Sequence, residues 1–188
     1  TLTAGLWERT HGQVAEVVGV DCAAINDRAD AQLRTTLSPH QENRIRFICH
    51  NFSDGLQLFA DQSFDHALSG LSISYAESWN PEAACWTDAA YDRVLREVHR
   101  VLRPQGRFVF SVNVPEPSWF KIGLLSLSSV FKTRRPLKFL KQAWRMMRYG
   151  AWLKQEARRG RFHYLGHEVI TAKLRQAGFE AVQHCLSY

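Results

Sequence analysis

Residues 94–112, VLREVHRVLRPQGRFVFSV, limit the possible folds more than any other stretch of this chain. An amphipathic helix runs into Arg103-Pro104-Gln105-Gly106, and an apolar, β-branched strand follows at once. Proline after the last helical turn stops the helix, and glycine is expected to permit the tight reversal. A strand begun that abruptly after a helix marks a buried parallel α/β sheet.

With 188 residues, 45% of them hydrophobic, the chain can bury one sizeable core, so a single domain over 1–188 is expected. No apolar run approaches the ~20 residues that span a bilayer. The start, TLTAGLWERTHG, lacks the apolar stretch of a secretory signal. A cytoplasmic protein is the reading. Cys22, Cys49, Cys85 and Cys185 are far apart and form no CxxC pair, so reduced core thiols are expected. Zinc would require clustered ligands, and no metal is expected.

The formal net charge of +6 hides a division. Residues 121–161 carry +11, with Glu156 their one acid, and the rest of the chain carries −5. An anionic partner is therefore to be sought at that segment.

Along the chain, residues 1 to about 11 read as a helix, with Leu2, Leu6 and Trp7 inward and Gly12 ending it. Residues 15–20, AEVVGV, suit a buried strand closed by Asp21. A helix is expected over 26–37, capped by Asn26 and stopped by Ser38-Pro39. Residues 44–49, RIRFIC, alternate as a strand nearer a sheet edge, residues 50–63 form a loop, and 64–69 form another strand. Residues 75–87 read as irregular, 88–102 as helix and 107–113 as strand. Residues 121–160 read as helical with interruptions at Pro136 and Gly150, 167–177 as a helix ending in Gly178, and 180–187 as a last strand.

Strands alternating with helices imply parallel βαβ units. In such sheets ligands sit outside the carboxyl ends of the strands. That rule selects Asp21-Cys22, Asn51-Phe52, Ser69-Gly70 and Asn113-Val114. An acid at the end of the second strand of a nucleotide-binding sheet can accept two hydrogen bonds from a ribose diol. It can equally do no more than cap the next turn. NAD-dependent dehydrogenases also place an acid there, so Asp21 alone indicates a ribose without naming the ligand.

Four stretches taken together are more specific. VVGVDCAAI resembles the second-strand motif of class I S-adenosylmethionine (SAM)-dependent methyltransferases, and LQLFADQSFDHALSGLSISYAES resembles their approach to the fourth strand. VLREVHRVLRPQGRFVFSV is similar to their fifth-strand entry, and HEVITAKLRQAGFEAVQHCLSY to their closing helix and sixth strand. The order is right over nearly the whole chain, and dehydrogenases do not share the last three. The nearest subtype is the type 11-like, small-molecule-, quinone- or lipid-directed group. The resemblance implies a Rossmann-like, doubly wound, mostly parallel α/β sheet with a helical lid insert between the fifth and sixth family strands, here residues 118–161. It implies SAM as cofactor, with Asp21 on its ribose, Cys22 against its adenine, and Asn51, Phe52, Ser69 and Gly70 around it.

The chain departs from the family in three places. The glycine-rich loop that follows the family's first strand is missing before Thr1, so the natural protein is expected to begin upstream. The chain stops at Ser187-Tyr188, before the family's seventh strand. Where the family commonly has an aspartate after the third strand, this chain has His50-Asn51-Phe52. The Asn51 side-chain oxygen can still accept from the adenine amino group, or it can serve an Asx turn.

Methyl transfer from a sulfonium is an in-line displacement that needs chiefly orientation. A base is needed only if the acceptor must lose a proton. The candidates are Tyr75, which could also be a pocket wall, and His163 and His167, which on a helix would share a face but are equally ordinary surface residues.

In the insert, Leu137, Leu140, Trp144 and Met147 recur at helical spacing, widened by Phe139, Ala143 and Met146 and ringed by Lys138, Lys141, Arg145 and Arg148. This is a lid whose apolar face packs on the sheet, a surface for an anionic membrane or lipid, or a nucleic-acid contact. The last is disfavoured because the aromatic residues belong to the apolar face. The expectation is a SAM-dependent methyltransferase with a small, hydrophobic acceptor. The alternative is a catalytically inactive module of the same fold that binds a partner or lipid through the basic insert. An NAD-linked oxidoreductase would need a nicotinamide site that no residue pattern supplies.

Overall fold

The computed structural model describes residues 2–11, 13–23, 25–35, 37, 43–113 and 136–185, with the backbone alone at 2, 4, 25, 27, 30 and 136–140. They gather into two compact units, Thr1–Leu58 and Phe59–Tyr188. Parallel strand pairs with intervening helices make it a mixed α/β structure, consistent with a Rossmann-like fold.

In the first unit, α1 (Leu2–Arg9) precedes β1 (Val17–Asp21), α2 (Ile25–Arg34) and β2 (Ile45–Cys49). The strands pair in parallel from Val17↔Ile45 to Asp21↔Cys49. β2 does not alternate as expected: Ile45 is buried, while Phe47 and Ile48 are both half-buried. A strand partly covered on both faces loses the two-residue rhythm. α1 buries Trp7, and the Arg44 guanidinium lies 5.2 Å from the centre of its indole. The chain turns left-handed at His11 (φ 50°), while Gly12 lies outside the described residues. Asn26 is not a cap, because α2 starts at Ile25. The Asn26 N–H donates to the Ala23 carbonyl (2.9 Å), so backbone satisfies the first turn. The expected stop at Ser38-Pro39 lies outside the described residues.

In the second unit, β3 (Phe64–Gly70) leads through a short hairpin, β4 (Trp79–Asn80) with β5 (Cys85–Trp86), to α3 (Ala89–Val101) and β6 (Leu102–Ser111). The hairpin stands where irregular chain was expected. Strands of two residues are too short to show a period. The Asn80 side chain closes the turn by accepting from the Glu82 and Ala83 N–H groups, and Trp79 meets Trp86 edge to face at 5.1 Å. α3 buries Ala90, Tyr91, Val94, Leu95, Val98 and Val101 along one stripe.

β3 and β6 pair in parallel, with a register shift between Phe64↔Leu102 and His66↔Arg107 that lets residues 103–106 bulge out. Gly106 is needed there, though not for the expected reason. The left-handed residue is Gln105 (φ 66°). A Cβ on Gly106 would lie 2.8 Å from the Arg103 carbonyl oxygen and 3.0 Å from that of Asp65. Close backbone approach excludes any side chain.

α4 (Pro136–Arg158) and α5 (His167–Gln176) complete the unit. Pro136 opens α4, where proline is tolerated. Gly150 does not interrupt it: glycine costs a helix only about 1 kcal/mol, and Met146, Met147, Ala151 and Leu153 around it favour helix. Residues 121–135 lie outside the described residues. Of the face expected to pack inward, Trp144 and Met147 are exposed. The Leu137 and Leu140 side chains lie outside the described residues. Among the residues of α4 whose side chains are described, those buried are Gly150, Leu153 and Glu156, on the opposite side.

After α5, Gly178 (φ 101°) reverses the chain, and the Phe179 N–H donates to the Leu174 carbonyl (3.0 Å) in a C-terminal cap. The last strand does not form over residues 180–185. Ala181 is left-handed (φ 50°), which breaks an extended run, and Phe179 is held between His99 (5.1 Å) and Phe108 (5.7 Å). Residues 186–188 lie outside the described residues. All four cysteines are free but exposed, not core thiols. They fall at a strand end, in the hairpin or in connections rather than at the centres of packed elements. Among the described residues, no helix is long and apolar enough to cross a membrane.

Candidate active site

β1 ends in the half-buried Asp21, whose Oδ1 accepts from the Ala23 N–H at 2.8 Å. A short acid at a strand end makes this turn readily. An ionised carboxylate has about four acceptor sites, so capacity for two hydroxyl donors remains. The His50 N–H donates to the Asp21 carbonyl (3.0 Å), tying the ends of β1 and β2 together. Cys22 is exposed in the following bend, and the Cys49 Sγ lies 3.7 Å from its carbonyl oxygen. Asn51 caps a short 3-10 turn, Phe52–Asp54, with its Oδ1 accepting from the Ser53 N–H at 3.2 Å. The Asx role weighed from sequence is thus present, and it leaves one lone pair on that oxygen. Phe52 beside it is half-buried. Asp21, Cys22, Asn51 and Phe52 are therefore grouped beyond the carboxyl ends of two neighbouring parallel strands.

In the second unit the same strand ends carry a different set. Gly70 closes β3 opposite Ser111, and the Ser69 and Ser72 hydroxyls are 3.3 Å apart. Between them Leu71 is left-handed (φ 63°), a conformation that costs a non-glycine residue roughly 1–3 kcal/mol. Its N–H is held by the Ser111 carbonyl (3.1 Å) and hydroxyl (3.2 Å). Tyr75 ends the turn Ile73–Tyr75, and its hydroxyl accepts from the Asn113 Nδ2 (3.2 Å) and lies 3.1 Å from the Tyr164 hydroxyl. The Tyr75 ring meets Phe162 at 5.1 Å and Tyr164 at 6.2 Å, both edge to face. Burial, then the Tyr75 hydroxyl, pushes the Tyr164 phenol up, so it stays protonated. Asn113 was a candidate from sequence, and Val114 lies outside the described residues. Tyr164 was missed: it is 89 residues from Tyr75, in a segment with no period.

A family model described as a methyltransferase domain matches residues 2–110. The chain belongs to this methyltransferase family. Among curated proteins no match to the chain was found. The matched span of the methyltransferase holds Asp21, Cys22, Asn51, Phe52, Ser69, Gly70 and Tyr75. It ends before Asn113, α4 and both candidate histidines.

Those histidines do not share a helix face. Gly160 (φ 81°) follows the end of α4, and His163 sits in the non-helical connection before α5, where its N–H donates to the Ser74 carbonyl (2.8 Å). His163 is not a surface residue: it is 3% exposed, with Nε2 2.9 Å from the Ala76 carbonyl and the Tyr91 ring at 5.1 Å. Its Nδ1 is 3.6 Å from Asp88 Oδ1. Burial lowers its pKa against the pull of Asp88. His167 opens α5, exposed and stacked on His184 at 4.7 Å. In the methyltransferase a cleft of about 250 Å³ is lined by Asp88, Lys154, Phe162, His163, Tyr164 and Leu165, among others.

Proposed function

We propose that the chain is a SAM-dependent methyltransferase acting on a small, largely apolar acceptor. The observation that carries the reading is Asp21, an acid with acceptor capacity to spare at the carboxyl end of β1, in a chain of a methyltransferase family. In this reading Asp21 holds the ribose diol of SAM. The remaining lone pair of Asn51 accepts from the adenine amino group, and Phe52 and Cys22 lie against the adenine.

Bound SAM supplies a methyl group on a cationic sulfonium. The chain's own residues then hold the reacting partners in line, an effect that can reach ~7–11 kcal/mol. Tyr75, Phe162 and Tyr164 offer aromatic surface of the kind that attracts a cation, worth about 0.5–2 kcal/mol. The cleft beside Tyr164, about 250 Å³, lies just below the roughly 300–1,000 Å³ of ligand pockets, so it suits a small acceptor. Phe162 and Leu165 suit an apolar acceptor, and Lys154 suits an anionic group on it. The basic segment 118–161, α4 included, then acts as the acceptor lid. His163 is occupied by Ala76 and acts as a positioning residue for its neighbour Tyr164.

Calorimetric titration tests the reading. Heat is expected with SAM and none with NAD, and the converse overturns it. Asp21→Ala should weaken SAM binding by more than tenfold, about 1.4 kcal/mol. Asp21→Asn, which keeps an oxygen for the Ala23 N–H but loses the charge, should fall between the two. An unchanged dissociation constant in Asp21→Ala places the ribose elsewhere.

A further inference from the structure

Beyond methyl transfer, the geometry points to a second role for α4: it is the docking face of this chain for an anionic lipid bilayer. Five large apolar side chains of α4 stand exposed: Trp144 (56%), Met146 (67%), Met147 (46%), Tyr149 (60%) and Trp152 (40%). Lys141, Arg145 and Arg148 are exposed among them. Lys141, Trp144, Arg145, Arg148 and Trp152 recur at i, i+3, i+4, i+7 and i+11, so they form one stripe. Gly150, Leu153 and Glu156 hold the other side of the helix, and over residues 141–149 only Ala143 is even half-buried.

Among the described residues, no acid neutralises the charge on this face. Glu156, the one acid of α4, is buried and paired with Arg159 (2.9 Å) and Arg161 (3.3 Å). Among the described residues Lys141, Arg145 and Arg148 form no ion pair. The C-terminal end of α4 is pinned, because Arg161 also bridges to Glu77 (3.0 Å) and lies over the Trp86 ring (5.2 Å). A basic helix of 23 residues, about 35 Å long, thus presents tryptophan, methionine and tyrosine to solvent from a fixed base. That is the chemistry of a helix lying in the headgroup region: cations meet anionic headgroups, and aromatic and thioether side chains enter the acyl boundary.

The same face fits other occupants less well. Base stacking needs open aromatic faces. Here the Arg148 guanidinium covers Trp144 at 5.0 Å, and Tyr149 and Trp152 stack on each other at 5.5 Å. The methionines offer a base nothing to stack on. A second copy of the chain would set three cations against three in a two-fold contact, which is costly.

Vesicle co-sedimentation of the whole chain, without methyl donor, tests this independently of catalysis. Binding is expected to phosphatidylcholine vesicles containing phosphatidylglycerol, to fade as salt rises, and to be weak on phosphatidylcholine alone. Each cation at such a surface contributes about fivefold. The triple variant Lys141→Gln, Arg145→Gln, Arg148→Gln should therefore lose roughly a hundredfold. Trp144→Ser with Met147→Ser should lose at least tenfold while keeping the wild-type melting temperature. Absence of vesicle binding overturns the proposal. So does binding that the substitutions leave unchanged, tighter binding to a single-stranded oligonucleotide than to vesicles, or a dimer in sedimentation that these substitutions dissolve.

Discussion

α3 and α4 belong to the same unit and both carry apolar residues at helical spacing, yet one hides them and the other displays them. α3 buries six residues, with Tyr91 and Leu95 fully enclosed (both 0% exposed). Among the residues whose side chains are described, α4 buries a glycine, one leucine and an ion-paired glutamate, and leaves Trp144 and Met147 in solvent. Periodicity therefore tells which residues share a face. It does not tell whether anything lies against that face. The basic residues mark the difference: on α3, Arg93 and Arg96 lie opposite the apolar stripe, whereas on α4 cations and aromatic residues share one stripe.

The contrast breaks first, if it is to break, at Leu95. Leu95→Ala leaves a cavity beneath α3 and should cost about 2–5 kcal/mol in urea denaturation. A loss under about 1 kcal/mol would mean that α3 is no better packed than α4.

A smaller effect comes from His163, which lies against Tyr91 of α3. Its folded-state pKa is lowered, by burial above all and to a lesser degree by Lys173, while Asp88, Asp92 and the bond to Ala76 oppose the shift. Below the ordinary histidine pKa of about 6.5 the unfolded chain takes up a proton that the folded chain does not. Stability should thus be complete above that pH and fall on acidification, down to the lowered folded value, by at most about 1.4 kcal/mol per pH unit. His163→Gln keeps a donor for Ala76 and should remove this part of the pH slope. An identical pH dependence in the variant would show that His163 charges freely.

The smallest change is expected at Trp144. Trp144→Ala should shift stability by no more than about 0.5 kcal/mol, as surface substitutions do. A loss of several kcal/mol would show that something covers α4.

Much of the frame was legible in the residues. The run from α3 through Pro104 into β6 and the acid at the end of β1 rest on neighbours in sequence, where spacing and turn chemistry act. Asp21, Asn51, Ser69 and Gly70 were chosen as candidates by one rule, that ligands meet strands at their carboxyl ends. The misses have physical causes. Gly106 was correctly singled out for the wrong reason: it must clear the Arg103 carbonyl and, on another strand, that of Asp65, rather than supply a left-handed turn. The hairpin at Trp79 and Trp86 is too short for any period. A left-handed Ala181 ended the last expected strand, and alanine gives no warning of that.

The sequence by itself determined most of the helical and extended segments, which faces are apolar, where the positive charge is concentrated, and the family to which the methyltransferase belongs. Tertiary structure alone decided that Tyr164 joins Tyr75 and Asn113, that His163 is enclosed against Ala76 and Tyr91, and that Trp144, Met146 and Met147 of α4 look outward. The reason is range. Propensity, capping and periodicity act over a few residues, whereas burial depends on what distant chain is folded alongside, and no local pattern encodes a neighbour 80 or 90 residues away.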